Sequence, residues 1–184
     1  MTEDVENIAV VDDANRFIRW ASRDEVHRDR LLHRSVYVAL FNGAGALTVQ
    51  RRHRQKQTYP GYWDMSCSGH VEGEDYLGGP DDRLEEVFLA VAARELEEEL
   101  GVRTPLEHLG YFGPEPSVHY EVFHFYQGRS DAELTLQATE VEAVCHVGLD
   151  EFDAFVAREA GRVTPSLVYL MRWYRASGLT PPVR

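Results

Sequence analysis

Arg94–Glu95–Leu96–Glu97–Glu98–Glu99–Leu100–Gly101–Val102 closes a long helical pattern. Asp82 opens it, with Glu85 three residues later as a capping box, and Gly101 stands just past the end, where a left-handed backbone is favoured. Leu89, Ala92, Ala93, Leu96 and Leu100 recur at helical spacing and form the stripe expected to be buried. Residues three and four apart share a helix face, so Glu95 lies beside Glu98 and Glu99 while Glu97 points elsewhere. Crowded carboxylates repel one another, and a divalent cation relieves that repulsion; hard oxygen ligands suit Mg²⁺ or Mn²⁺. A solvated acidic face would also explain a glutamate run. Against it, three consecutive glutamates in the last turn oppose the helix dipole, where lysine or arginine is favoured, and such local violations belong to functional sites.

Outward from this helix, residues 64–69 read as a short strand and the glycine-rich 72–82 as a loop. Residues 35–41 and 46–51 form a hairpin around Asn42–Gly45, and 8–11 with 17–20 a smaller one. Downstream come strands near 109–112, 118–126 and 143–147 and a helix over 150–160. Thr164 as N-cap with Pro165 at the first helical position opens a last helix to about Ala176. Strands interleaved with helices give an α/β layered domain, and the hairpins make its sheet mixed. With 184 residues and no repeat or linker, the chain reads as one domain over 1–184, with a short N-terminal hairpin segment at about 5–22.

The net charge is −12, with 43% hydrophobic and 27% charged residues. That balance describes a globular chain whose acidity repels nucleic-acid polymers and anionic membranes. Residues 1–6 have no apolar core and do not resemble a signal peptide, and the charge-free run 35–50 is too short to cross a membrane. Cys67 and Cys145 form no disulfide framework, so a reduced, cytoplasmic setting is expected. Arg51, Arg52, His53, Arg54 and Lys56 concentrate positive charge that could neutralise a phosphorylated small molecule, although a solvated loop would look the same from charge alone.

The stretch from Arg94 to Val102 resembles the second half of the Nudix box, G-x5-E-x7-R-E-U-x-E-E-x-G-U with U aliphatic. Arg94, Glu95, Leu96, Glu98, Glu99, Gly101 and Val102 match it without a gap. The resemblance implies a Nudix-like α/β/α sandwich with a mixed sheet, metal ligands Glu95, Glu98 and Glu99, and an Arg94 that orients the carboxylates. The first half departs. Glu86 has the right distance to Arg94, but Pro80 stands where the leading glycine belongs. Gly69 to Glu74 also resembles the start of the box, with 75–85 as an insertion. Spacing favours Glu86 as a further metal ligand, although helix geometry sets it half a turn from Glu95.

Over about 5–176 the chain is similar to the branch related to type 1 isopentenyl-diphosphate isomerase, through Val26–His27, Leu32–His33–Arg34, Gln50–Arg51–Arg52, Lys56, the run from Tyr59 to Asp64 and Ser68–Gly69–His70. The isomerase's catalytic cysteine falls at Ser68, with Cys67 one residue early and so on the opposite face of a strand. Its paired glutamates match His119 and Glu121, so one survives. His27, His33 and His70 match or nearly match its metal-binding histidines, which leaves a second metal site at His70 and Glu121 open beside structural roles. The complete set Glu95, Glu98 and Glu99 favours hydrolysis of a diphosphate linkage in a small molecule such as a nucleoside diphosphate derivative. An isomerase-like enzyme and a non-catalytic Nudix-fold binding module are the alternatives.

For the hydrolase, Arg94 and Glu98, Glu99 or Glu121 are the catalytic candidates, one carboxylate accepting the proton of the attacking water. Substrate would meet Gly69, Lys56, Trp63 and Arg51. Alternation along 46–51 sets Leu47, Val49 and Arg51 on one face, and burial of the first two is expected to carry Arg51, rather than Arg52, inward. A homodimer is compatible with the sequence.

Overall fold

The computed structural model describes residues 7–115 and 117–182, so the reading of residues 1–6 lies outside the described residues. Strands β1 (Asn7–Val11) and β2 (Phe17–Ser22) form the N-terminal hairpin, followed by helix α1 (Arg23–Asp29), which the sequence reading missed. Ser22 caps α1 by accepting from the Glu25 N–H. Then come β3 (His33–Phe41), β4 (Leu47–Arg52), β5 (Trp63–Asp64), β6 (Cys67–His70), α2 (Leu84–Leu100), β7 (Leu106–Phe112), β8 (Glu121–Arg129), β9 (Val141–Val147), α3 (Phe152–Arg158) and α4 (Pro165–Ala176). Thr164 caps α4, its side chain accepting from the Leu167 N–H at 3.3 Å.

β3 runs parallel to β8 along its whole length and antiparallel to β6, while β4 runs antiparallel to β5 and β9. β3 and β4 pair only at Phe41↔Leu47 and then diverge. The segment expected as one strand over 64–69 is broken for that reason, because its first part pairs with β4 and its second with β3. Ser66 bridges the parting strands: its hydroxyl donates to the Thr48 carbonyl at 2.5 Å and accepts from the Leu40 N–H at 2.7 Å.

Each face of this mixed sheet carries helices, completing an α/β/α sandwich. Val36, Val38, Leu40 and Cys67 pack on Val87, Phe88, Val91, Ala92 and Leu96 of α2. Tyr37, Ala39, Leu47, Val49, Phe123 and Phe125 pack on α3 and α4 through Phe152, Phe155, Leu167, Leu170 and Tyr174.

Helix α2 departs from expectation at its start and in its stripe. Arg83, left-handed at φ 51°, precedes its first residue without a side-chain cap. The Asp82 carboxylate accepts from the Gly79 N–H at 2.8 Å instead, so the expected capping box does not form. Leu89 is 43% exposed and Ala93 is also exposed. The buried side is carried by Val87 and Val91, and the same four-residue row continues into Glu95 and Glu99. An apolar row thus becomes a carboxylate row without leaving the sheet. Gly101 adopts the expected left-handed conformation at φ 69°, its N–H donating to the Glu97 carbonyl.

Arg34 is fully buried and ties three segments together. Its guanidinium donates to the Asn15 side chain and carbonyl, to Tyr76, to the Pro80 carbonyl and to Asp81 at 2.6 Å. The loop that leads into α2 is thereby pinned to the N-terminal hairpin. Among the described residues, no helix is long and apolar enough to cross a membrane.

Candidate active site

Divergence of β3 from β4 opens a cavity of about 420 Å³. Glu95, Glu98 and Glu99 of α2 line it on one side, and His33, Ser35, Tyr37, Ser68, His70 and Glu121 line it from β3, β6 and β8. Arg23, Arg30, Arg52 and Lys56 bring positive charge to the same cavity.

The three glutamates differ in setting. Glu99 is 5% exposed and accepts from the Gln50 side-chain amide at 2.7 Å. Glu95 lies 2.9 Å from the Arg94 guanidinium, which also reaches Glu98 and Asp75, each at 3.1 Å. Glu98 is the open member, its side chain 52% exposed. Burial, and then repulsion from Glu99, pushes Glu95 up to about 8; burial, with a smaller push from Asp64, raises Glu99 to about 7 against the lowering effect of Gln50, Lys56 and Arg52. Two carboxylates held part-protonated near neutral pH fit a cation that takes the place of their protons. Gly69 is pressed against this pair: a Cβ there would overlap the Glu95 carboxyl group.

A second donor set sits on the β3 side. Ligand atoms of His33, His70 and Glu121 lie within 4.8 Å of one another. The His33 Nδ1 is 2.8 Å from the Leu31 carbonyl, an acceptor only, so Nδ1 donates there and Nε2 is left for another partner. That Nε2 is buried without a hydrogen-bond partner, 3.8 Å from Glu121. Burial, reinforced by His33, holds His70 well below its ordinary value and therefore neutral. The His27 ring stands 5.1 Å from His70 and 5.9 Å from His33. Glu121 is anchored by hydroxyls, accepting from Ser35 at 2.7 Å and Tyr37 at 3.1 Å. Two imidazoles and an anchored carboxylate are a fitting set for a borderline divalent metal.

Several sequence expectations need correction. Leu47 and Val49 are buried with Arg51 on their face, as alternation requires, but that face meets α3 and α4. Arg51 therefore stacks over Trp63 at 5.6 Å and pairs with Glu142 at 3.2 Å, and neither Arg51 nor Trp63 lines the cavity. Arg52, with Gln50, faces α2; it lies 3.2 Å from Asp64 and is fixed by donation to Thr58. Glu86 is exposed and pairs with Arg83, half a turn from Glu95, so it does not join the other glutamates. Glu74 is exposed as well; Glu72 lines the cavity, and Asp75 holds Arg94. Lys56 does line the cavity, paired with Glu140. Cys67 is buried in the α2 core, and burial pushes its thiol well up, while Ser68 lines the cavity. Glu72, Asp75 and Gln50 were missed because their partners are distant in sequence; the Gly69–Glu74 similarity included Glu72 but set Asp75 in an insertion.

A family model described as the NUDIX domain matches residues 31–167, spanning both donor sets. The chain belongs to the NUDIX family. The Nudix hydrolase PA4841 of Pseudomonas aeruginosa, uncharacterized by its name, is 41% identical over 141 residues, 75% of this chain and 76% of that protein. Isopentenyl-diphosphate Delta-isomerase 2 of Photorhabdus laumondii is 30% identical over 156 residues, 82% of each chain. This Nudix chain is accordingly a Nudix hydrolase of the isomerase-like branch. The crystal structure of DR0079 from Deinococcus radiodurans superposes with a TM-score of 0.73 at 23% identity, covering 91% of this chain and 98% of that one. The NUDIX domain of Shewanella oneidensis NrtR, complexed with ADP ribose, superposes at 0.59 and 18% identity, covering 85% and 99%. These two likenesses establish the shared fold.

Proposed function

We propose that this Nudix chain hydrolyses the diphosphate linkage of a small molecule in the cytoplasm, with Mg²⁺ or Mn²⁺ held by Glu95, Glu98 and Glu99. The observation that carries the reading is the gathering of Glu95, Glu98 and the buried Glu99 from one helix face at a cavity that also contains Arg52 and Lys56. A divalent ion bound there supplies charge neutralisation at the diphosphate oxygens and a more acidic water. Arg94 reaches both Glu95 and Glu98 with Nη1 while Nε and Nη2 grip Asp75, which fixes the guanidinium between them. Arg52 and Lys56 draw in the phosphates. Water attacks one phosphorus, the bridging P–O bond breaks, and the second phosphate leaves on its own half of the substrate. Glu98, the open carboxylate, accepts the water's proton, with Glu99 and Glu121 as the other candidates. A panel of nucleoside diphosphate derivatives, ADP-ribose among them, read by phosphate release after phosphatase coupling, tests this: turnover should vanish with EDTA and return with Mg²⁺ or Mn²⁺. Full turnover in rigorously metal-free protein overturns it.

The second reading is an isomerase, favoured by the donor set of His33, His70 and Glu121. Against it stands Cys67, packed under α2 rather than facing the cavity. Incubation with isopentenyl diphosphate in deuterated water should leave the substrate without deuterium; clear incorporation restores the isomerase.

A further inference from the structure

Arginine and lysine are used very unequally here: of the 19 Lys and Arg residues in the chain, Lys56 alone is a lysine. That single ε-amine lines the cavity, its side chain 16% exposed and paired with Glu140. Both partners are held by the backbone. The Lys56 N–H donates to the His53 carbonyl at 3.1 Å, and the His53 N–H to the Glu140 carbonyl at 2.8 Å, so the turn after β4 is strapped to the turn before β9. Arg52, the last residue of β4, borders the same cavity and is fixed by donation to Thr58 and Asp64. Burial, and then the Arg52 charge, lowers Lys56 below its ordinary value.

For gripping phosphate alone a guanidinium serves at least as well, since it is always charged and forks onto two oxygens. It cannot release a proton and attack a carbon, as an amine can. An amine that is desolvated and set beside another cation is an activated nucleophile. The electrophile that suits this setting carries its own anion. An acyl phosphate brings a phosphate for Arg52 and, two bonds from the phosphorus, a carbonyl carbon for Lys56. A neutral ester has no such handle.

We propose that Lys56 is an acylation site that takes its acyl group from a small acyl phosphate, and that the resulting amide silences the phosphate-gripping end of the cavity. The ammonium passes a proton to Glu140 and the freed amine attacks the carbonyl carbon. A C–N bond forms, the C–O bond to phosphate breaks, the phosphate departs toward Arg52 with the electron pair, and a second proton leaves the nitrogen for solvent. The amide is uncharged, so Glu140 loses its partner and faces an incoming diphosphate with like charge. The acylation itself stands apart from the hydrolase reading; its effect on phosphate binding rests on that reading.

The chain gives a lysine-specific protease one cut, after Lys56, and acylation blocks it. Native protein is incubated with acetyl phosphate near neutral pH, then unfolded and digested, the uncut fraction and its mass giving the extent at Lys56. Acetylation should run at least tenfold faster than that of Nα-acetyl-lysine amide in the same tube. It should slow at least fivefold in Arg52→Ala, folded by circular dichroism, and in wild-type protein saturated with inorganic diphosphate. A rate equal to that of the free lysine compound, or one indifferent to diphosphate, overturns the site. Acetylated protein should bind inorganic diphosphate about tenfold more weakly in titration calorimetry with Mn²⁺; unchanged affinity overturns the silencing. Fast acetylation in protein that cleaves no compound of the diphosphate panel keeps the site and removes the hydrolase reading. Slow acetylation in protein that does cleave them removes this site alone.

Discussion

Gly69 and Glu95 touch so closely that the glycine is a positional requirement of the glutamate. Gly69→Ala would set a methyl into the Glu95 carboxylate and displace it. Misplacement of this size costs on the order of a hundredfold in rate, so kcat/KM should fall by about that factor while circular dichroism is unchanged. The two arginines of β4 make a sharper comparison. Arg52→Ala should lower kcat/KM about tenfold or more, the scale of a charge-assisted hydrogen bond, whereas Arg51→Ala should change it less than about twofold. The opposite ranking would place substrate on the α3 and α4 side of the sheet. The glutamate run was legible because its ligands lie within one helical turn. Arg52 was not: alternation sorts residues into two faces without saying which face the metal helix covers.

At the scale of elements, α2 carries the site and begins from a strained residue. Arg83 holds a left-handed backbone that an L side chain adopts at a cost of about 1–2 kcal/mol, and its compensation is an exposed pair with Glu86. Arg83→Gly relieves the strain and should raise Tm by about 2–4 °C, less the entropy that glycine adds to the unfolded chain. A lower Tm in thermal unfolding would show that the pair with Glu86 outweighs the strain. Arg34 works in the other direction. Arg34→Met strands the Pro80 carbonyl and the Asn15 side chain, costing about 3 kcal/mol in denaturant unfolding. Freed from Arg34, the loop bearing Asp75 holds Arg94 less firmly, so Mn²⁺ affinity should fall along with stability. The body and Gly101 end of α2 and the Thr164–Pro165 start of α4 were readable because helical runs and such caps are local, whereas the Asp82 start of α2 was misread because its carboxylate turns to Gly79. Helix α1 is a single short amphipathic stretch, and the break between β5 and β6 exists only because two other strands part.

Across the whole molecule, metal binding, protonation and stability are linked through the same two side chains. Glu95 and Glu99 sit at about 8 and about 7 when folded, above an ordinary value of 4.5. The folded state therefore binds more protons than the unfolded state between those limits, and stability falls as pH rises through that window. Burial shifts His70, His119 and His124 downward, which acts below pH 6.5 with the opposite sign. The clean window is pH 6.5–8.5. There, Tm in EDTA should fall with rising pH, and the increase in Tm on adding Mn²⁺ should grow, because fewer protons must be displaced. A Tm in EDTA that climbs across this window would mean the pair is ionised without metal.

The sequence alone determined the layered α/β class, the mixed sheet and the carboxylate helix, since each follows from periodicity, caps and turn chemistry within a few residues. It also set Ser68 and Cys67 on opposite faces of one strand, because alternation is a local rule. Tertiary structure alone decided which face of the sheet each helix covers. That choice sent Arg51 to Trp63 and Arg52 to the cavity. It also assembled His33, His70 and Glu121, whose strands are far apart in the chain and meet only because β3 pairs with both β6 and β8. Such contacts depend on how strands pair and where they diverge, which is settled by the burial of the whole core rather than by any short stretch of chain.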